Sequence, residues 1–268
     1  MHLRSSRMIK FKKMHGNGND FVVIENLTKT QSLTKAQIIK IGNRKKGIGF
    51  DQLITINPPK KDHHDLHIRF FNTDGSEASM CLNGVRSVGA FVWEAGLLPK
   101  KAMILGTNSQ EIEILPATSK LVRAIIAKPV MEEIPTIEKK HLEKCGINKA
   151  QFVNAGNFHL LVEVNKTEAY DLASICGLLR KRIFFKNINI SLFNKSEGNV
   201  SLRTNEAGAG ETLSCGSASA AIASLYIKKN KKFTVSSAGG SVSLRLAGDK
   251  LEMTGPAEFI YEGVWIKN

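Results

Sequence analysis

Two stretches of the chain set a cysteine in the same local context: FFNTDGSEASMCLNGVRSVGAF at 70–91 and RTNEAGAGETLSCGSASAAIASL at 203–225. Each has a glutamate four positions before the cysteine, Glu77 or Glu211. Each follows the cysteine with small or turn-forming residues and then a helix-like apolar run. Cys81 and Cys215 are 134 positions apart, half of the 268-residue chain. A thiol at a helix start sits beside amides with no acceptor inside the helix and at the positive end of the helix dipole, which favours the thiolate. The same amides can hold a carboxylate. If both turns served one site, an α-amino acid held by its carboxylate would present one face of its α-carbon to each sulfur. One thiolate would remove the α-proton and the opposite thiol would return a proton to the other face, inverting the centre. Helix-start amides would stabilise the enediolate by about 3–4 kcal/mol per well-placed donor. Neither step calls for a metal or pyridoxal phosphate.

The elements that must position these thiols are short strands and a few helices. IKFKKMHG (9–16) and DFVVIEN (20–26) read as strands around a Gly/Asn turn, and TKAQIIKIGNRKKG (34–47) as a helix capped by Thr34. DQLITINPP (51–59) and LHIRFFN (66–72) read as strands. From Cys81 to Leu97, apolar residues at Val85, Val88, Val92 and Trp93 mark one helical face. EIEIL (111–115) and LVRAIIAKP (121–129) are further strands, and the Pro/Glu-rich passage 128–144 reads as a domain crossing. The second half repeats the style. QFVNAGNFHLLVEV (151–164) is strand–turn–strand, DLASICGLLRKR (171–182) a helix, NINISLFN (187–194) and NVSLRT (199–204) strands, and FTVSSAGGSVSLRL (233–246) a hairpin. The expected division is 1–126 with Cys81 and 127–268 with Cys215, residues 260–268 being a candidate addition to the first domain.

Composition narrows the class. Hydrophobic residues at 42% and charged at 23% are ordinary for a globular chain. No apolar run approaches the ~18 residues of a membrane helix. Met1–Lys13 is charged and lacks the apolar core of a secretory signal, so a cytoplasmic protein is expected, with Met8 as an alternative start. The four cysteines form no CxxC pair, and neither a disulfide framework nor a zinc site is expected. Cys145 and Cys176 read as small buried hydrophobes, and DHHDLH (62–67) as a solvated loop rather than a metal site. The net charge of +14 is scattered and aromatics are only 7%, which suits anionic metabolites better than nucleic acid.

The segments KMHGNGNDF (13–21), GIGFDQL (47–53), FFNTDGSE (70–77), GAGET (208–212), CGS (215–217) and MTGPAEFIYEG (253–263) together resemble the diaminopimelate epimerase family, nearly end to end. These are cofactor-independent enzymes of lysine and peptidoglycan precursor synthesis. The resemblance implies an α+β fold of two similar domains, each a β-barrel-like sheet wrapped around a central helix, with the active site in the cleft between them. It implies that Cys81 and Cys215 are the acid/base pair, assisted by His159 and Glu206. It carries over Asn19, Gln52, Asn72, Asn157 and Asn189 as substrate contacts, with the backbone N–H groups of Leu82, Asn83, Gly216 and Ser217 holding the reacting carboxylate. No cofactor or metal is implied; the partner is a small-molecule amino acid, and a homodimer is an open expectation. Four positions depart from the family pattern. Leu82 and Ala218 stand where glycine is usual, and Phe158 stands where proline is usual. Ala207 replaces the arginine that pairs with the far carboxylate of diaminopimelate. Three readings follow: a diaminopimelate epimerase using another cation, a related racemase of a different amino acid, or a weakly active or inactive amino-acid-binding paralogue.

Overall fold

The computed structural model describes residues 8–29, 32–118, 120–196 and 199–267. The residues ahead of the alternative start at Met8 lie outside this set. The chain divides into two compact units, Met1–Ile125 with Thr254–Asn268, and Ile126–Met253. It passes from the first to the second within strand β8 (Leu121–Ala127) and returns within β17 (Lys250–Pro256). Among the described residues no helix is long and apolar enough to cross a membrane.

In the first unit β1 (Met8–Gly16) and β2 (Asn19–Glu25) form a hairpin whose turn residues, Asn17 and Gly18, both have positive φ. This left-handed pair is the turn that matches the twist of paired strands. Helix α1 (Lys35–Gly42) crosses over to β3 (Gln52–Asn57), which lies parallel to β2, and β4 (Leu66–Asn72) returns antiparallel. The short β5 (Glu77–Ala78) leads into α2 (Leu82–Glu94), followed by β6 (Met103–Gly106) and β7 (Glu111–Pro116). β18 (Glu258–Ile266) pairs along β1. Helix α2 is buried from Leu82 through Gly89 and lies against β1, β2, β3, β7 and β18, so strands surround it. That enclosure buries polar Asn83, Arg86 and Ser87 along with the apolar face. On the other face α1 closes a separate cluster that includes Ile9, Val22, Ile38, Ile41 and Phe50.

The second unit repeats this order. β9 (Val130–Glu132) pairs with β10 (Ala150–Asn154), which forms a hairpin with β11 (Phe158–Glu163). Helix α4 (Leu172–Leu179) crosses over to β12 (Asn189–Ser196), parallel to β11, and β13 (Asn199–Glu206) returns antiparallel. β14 (Gly210–Thr212) leads into α5 (Gly216–Tyr226), and β15 (Phe233–Ser237) and β16 (Gly240–Ala247) close the series. Helix α5 lies against β9, β11, β15 and β16 and is buried through Ala218–Ala223. The expected architecture of an α+β sheet wrapped around a central helix, present twice, is the one observed.

Four local expectations need correction. The helix capped by Thr34 does carry a full capping box with Gln37, but it stops at Gly42 rather than running to Gly47. The Asn43 side chain takes the Lys45 and Lys46 amides and turns the chain, and a Cβ at Gly47 would lie 2.2 Å from the Lys40 carbonyl oxygen. The supposed crossing at 128–144 contains β9 and a further helix, α3 (Thr136–Lys144), anchored by Leu142 and by Glu138 paired with Arg182 at 2.5 and 2.7 Å. With so little apolar periodicity, α3 could be recognised only through that tertiary anchor. Cys145 caps α3 and is half-buried, unlike Cys176, which is 1% exposed in the core. Finally, DHHDLH is only partly solvated, since His64 and His67 are buried and the His64 ring rests against Gly106, where a Cβ would meet Nδ1 at 2.2 Å.

Candidate functional site

Cys81 and Cys215 are the N-cap residues of α2 and α5. Both have the extended backbone of a cap, which leaves the first-turn amides directed out of the helix end. The acid that precedes each cysteine has an architectural task. Arg69 grips Glu77 through Nε and Nη2 at 2.7 and 2.9 Å, and Arg203 grips Glu211 through the same atoms at the same distances. These forked pairs tie β4 to the segment leading into α2, and β13 to the segment leading into α5.

In the first unit, three of the expected residues, Cys81, Asn19 and Asn83, join one network. The Cys81 thiol donates to Asn19 Oδ1 at 3.4 Å, its sulfur accepts the Gly84 amide at 3.4 Å, and Asn83 Nδ2 donates to Asn19 Oδ1 at 3.5 Å. Asn19 is held from behind by donating to Asp51 Oδ2 at 2.8 Å, and Asp51 is held by Arg44. Asp20 opposes its partial burial through Arg44 and Lys13, which keep its carboxyl below the usual carboxylate range. Leu82 opens α2 and is 5% exposed, so its side chain is packed inward. Gln52 and Asn72 face each other across β3 and β4, with Gln52 Nε2 donating to Asn72 Oδ1 at 3.0 Å. Gln52 Oε1 is buried without a hydrogen-bond partner. The parallel register pairs Phe21 with Gln52, so Asn19, Gln52 and Asn72 share one end of this sheet.

In the second unit, His159 is fully buried and meets Asn157 Oδ1 at 2.9 Å and Ser217 Oγ at 3.0 Å. Ser217 Oγ in turn lies 3.4 Å from Cys215 Sγ. Burial lowers the His159 pKa from 6.5 to about 3, so the ring is neutral near pH 7. The Asn157 oxygen only accepts, which sets Nε2 as the protonated nitrogen and leaves the Ser217 hydroxyl to donate toward the sulfur. Serine therefore stands between the imidazole and the thiol. Asn189 Oδ1 accepts the Ala207 amide at 2.9 Å, and Glu206 Oε1 accepts the Thr212 hydroxyl at 2.6 Å. Phe158 is 44% exposed and stacks on Phe152 with ring centroids 5.2 Å apart, an arrangement that leaves Asn157 and His159 in contact. Ala218 is wholly buried in the first turn of α5.

Two arginines escaped the sequence reading. Arg86 is fully buried within α2 and donates through Nη2 to Asn83 Oδ1 at 2.6 Å. Arg180, at the end of α4, donates to Asn205 Oδ1 at 2.6 Å, the Asn205 carbonyl at 3.1 Å and the Ile188 carbonyl at 3.3 Å. The available signal for Arg86 was its place three residues beyond Asn83, which sets the two on one helical face.

Among the described residues one group has metal-ligand chemistry: His63, His64 and Glu111. Both imidazole Nε2 atoms meet Glu111 Oε2, at 2.9 and 3.1 Å, and hydrogen bonds from His63 and His64 hold that carboxyl down at about 2. Coordination through Nε2 would put a proton on His64 Nδ1, which is buried without a hydrogen-bond partner. Ligand histidines ordinarily have that second nitrogen supported, so hydrogen bonding accounts for this cluster better than a metal.

A strand-wrapped helix beginning at a cysteine, built twice in one chain, defines a protein of the epimerase and racemase fold type. A sequence profile described as diaminopimelate epimerase matches residues 11–124 and 151–260, and the chain belongs to that family. The fold is also that of a Bacillus anthracis phenazine biosynthesis protein of the PhzF family, at 14% identity, TM-score 0.74, covering 97% of this chain and 99% of the other. It is similar to a hydroxyproline epimerase from Agrobacterium vitis with bound trans-4-hydroxy-L-proline, at 15% identity and TM-score 0.71, covering 98% and 94%. A methylitaconate-delta-isomerase matches at 12% identity and TM-score 0.63, covering 97% and 96%. At such identities the likeness concerns the fold alone.

Proposed function

We propose that the protein inverts the α-carbon of an amino acid by two-thiol acid/base chemistry, with LL-diaminopimelate converted to the meso form as the first candidate. The observation that supports this reading is the N-cap cysteine on the enclosed helix of each unit, each thiol hydrogen-bonded to its own polar partner. In this scheme the Cys81 thiolate takes the α-proton. The electron pair moves into the carboxylate, giving an enediolate that first-turn helix amides stabilise. The Cys215 thiol then gives its proton to the opposite face, and the Ser217 hydroxyl, backed by neutral His159, steadies the thiolate left behind. After one turnover the two sulfurs have exchanged protonation states, and the reverse direction uses the same groups with roles exchanged.

The second reading, a racemase of a different amino acid, is favoured by position 207. Ala207 has no charge to offer a distal carboxylate, and Arg180, which binds Asn205 two positions upstream, already has three acceptors. Lack of one partner of an enclosed charge pair costs about 2–5 kcal/mol, or a factor of tens to thousands in affinity. The test is loss of the α-proton NMR signal in deuterium oxide with single amino acids. Exchange with diaminopimelate alone supports the first reading, exchange with another amino acid the second, and no exchange with any of them sinks both in favour of a binding paralogue.

A further inference from the structure

Arg86 is a guanidinium placed wholly inside the protein, 0% exposed, on the helix that Cys81 caps. Its Nη2 donates to Asn83 Oδ1 at 2.6 Å, while Nη1 and Nε lie 3.5 Å from the carbonyls of Leu82 and Pro256. The Asn83 contact settles which end of that amide faces inward. With its oxygen taken by Arg86, Asn83 turns its NH2 toward Asn19 Oδ1, the same oxygen that receives the Cys81 thiol. Guanidinium, two amides and sulfur thus form one continuous polar path in the first turn. We propose that Arg86 is the positioning residue of the Cys81 thiol: its charge favours the thiolate, and its grip on Asn83 orients the amide pair that faces the sulfur. The inference rests on the reading of Cys81 as a base that works in its ionised form.

The Arg86 charge acts against the Asn19 oxygen, which accepts the thiol proton and so favours the neutral thiol. Burial pulls the Arg86 pKa down to about 10, and the negative charge of Cys81 acts against that pull. The guanidinium remains charged near pH 7, and an enclosed cation favours ionisation of a nearby acid. Neighbouring elements carry other charges. Asp20 and Asp51 are matched by Lys13 and Arg44, His15 lies on β1, and Glu258 on β18 is paired with Lys120 at 3.0 Å. The β7 glutamates, Glu111 and Glu113, are exposed. Arg86 therefore adds a cation to surroundings whose other nearby charges are largely paired.

The experiment needs no substrate. The rate of Cys81 alkylation by iodoacetamide is followed against pH, with the labelled peptide resolved by mass spectrometry, in wild type, Arg86→Met, Arg86→Lys and Asn83→Asp. Arg86→Met is expected to move the Cys81 profile up by about 1–2 pH units, a ~10–100-fold slower reaction at pH 6.5. Arg86→Lys is expected to restore at least half of that shift. Asn83→Asp keeps Arg86 but sets a carboxylate against it, and is expected to shift the profile upward as well, so the test survives if Arg86→Met does not fold. An unchanged profile in folded Arg86→Met, a Lys variant no better than Met, or an unshifted Asn83→Asp would overturn the proposal. Failure of amino-acid exchange would remove the function proposed above while leaving this profile to be judged separately.

Discussion

Five places after its cysteine, the first unit carries Arg86, buried and bound to Asn83; five places after its own, the second unit carries Ala220. The reverse difference occurs on the parallel strand pair. β2 sets Phe21 beside Gln52, whereas β11 sets His159 beside Asn189. Around these differences the frame is constant. Asn19 and Asn157 each stand two residues before that position, and Asn72 and Glu206 each stand nine before the cysteine. The units therefore share a backbone plan and differ in how polarity reaches the sulfur. Cys81 is linked to a cation through two amides, and Cys215 to a neutral imidazole through a hydroxyl. Under the two-thiol scheme proposed above, this inequality would bias which sulfur holds the proton at the start of a turnover.

The severest way to break the comparison is to remove a thiol. Cys81→Ala and Cys215→Ala are each expected to reduce inversion by ~10³-fold or more, since each deletes one of the two proton-transfer groups. Chiral analysis of the product checks this, and full inversion by either variant would end the two-thiol scheme. The next largest effect comes from giving the second unit the residue of the first. His159→Phe removes the support of Ser217 and is expected to lower turnover ~10–100-fold while leaving Cys81 alkylation unchanged. It also alters acid stability. The folded pKa of His159 is about 3 against an ordinary 6.5, so between these values the unfolded chain binds a proton that the folded chain refuses. Stability tied to the neutral ring is complete above pH 6.5 and is lost as pH falls toward 3. Urea unfolding at pH 7 and 4.5 should show wild type losing roughly 2–3 kcal/mol through this residue, a slope absent from His159→Phe.

Much of the shared frame was legible in the sequence, and the contrast was not. The strand at 66–72 and the hairpin around Gly239–Gly240 follow from strand-forming residues and turn chemistry, and the N-cap role of both cysteines follows from the small or turn-forming residues near them. Arg86 was hidden for a physical reason. Sequence patterning assigns an arginine in an amphipathic helix to the solvent face, but strands enclose α2 so completely that it has no such face over its first two turns. The His159–Ser217–Cys215 chain was likewise invisible, because it joins residues 58 positions apart through the direction of a hydroxyl. The repeated acid before each cysteine was visible as a pattern, but its task was not, since the arginine that grips it lies on the neighbouring strand eight residues earlier.

That last point gives the smallest and sharpest prediction. Glu77 and Glu211 make matching forked pairs, with glutamate side chains 30% and 38% exposed, a regime in which an ion pair contributes about 1 kcal/mol or less. They should nevertheless be unequal. Glu77 also accepts Asn108 Nδ2 at 2.7 Å, so Glu77→Gln disturbs two contacts on β4 and its neighbouring loop. Arg203 keeps the carbonyls of Thr167 and Tyr170 at 2.7 and 3.0 Å when Glu211 is replaced. Glu77→Gln is therefore expected to cost about 1 kcal/mol and Glu211→Gln about half as much, measured by urea unfolding at neutral pH. Neither is expected to change the alkylation profile of its cysteine. A profile shifted by either substitution would give the repeated glutamate a part in the chemistry and weaken the division between frame and thiol support on which the comparison of the two units rests.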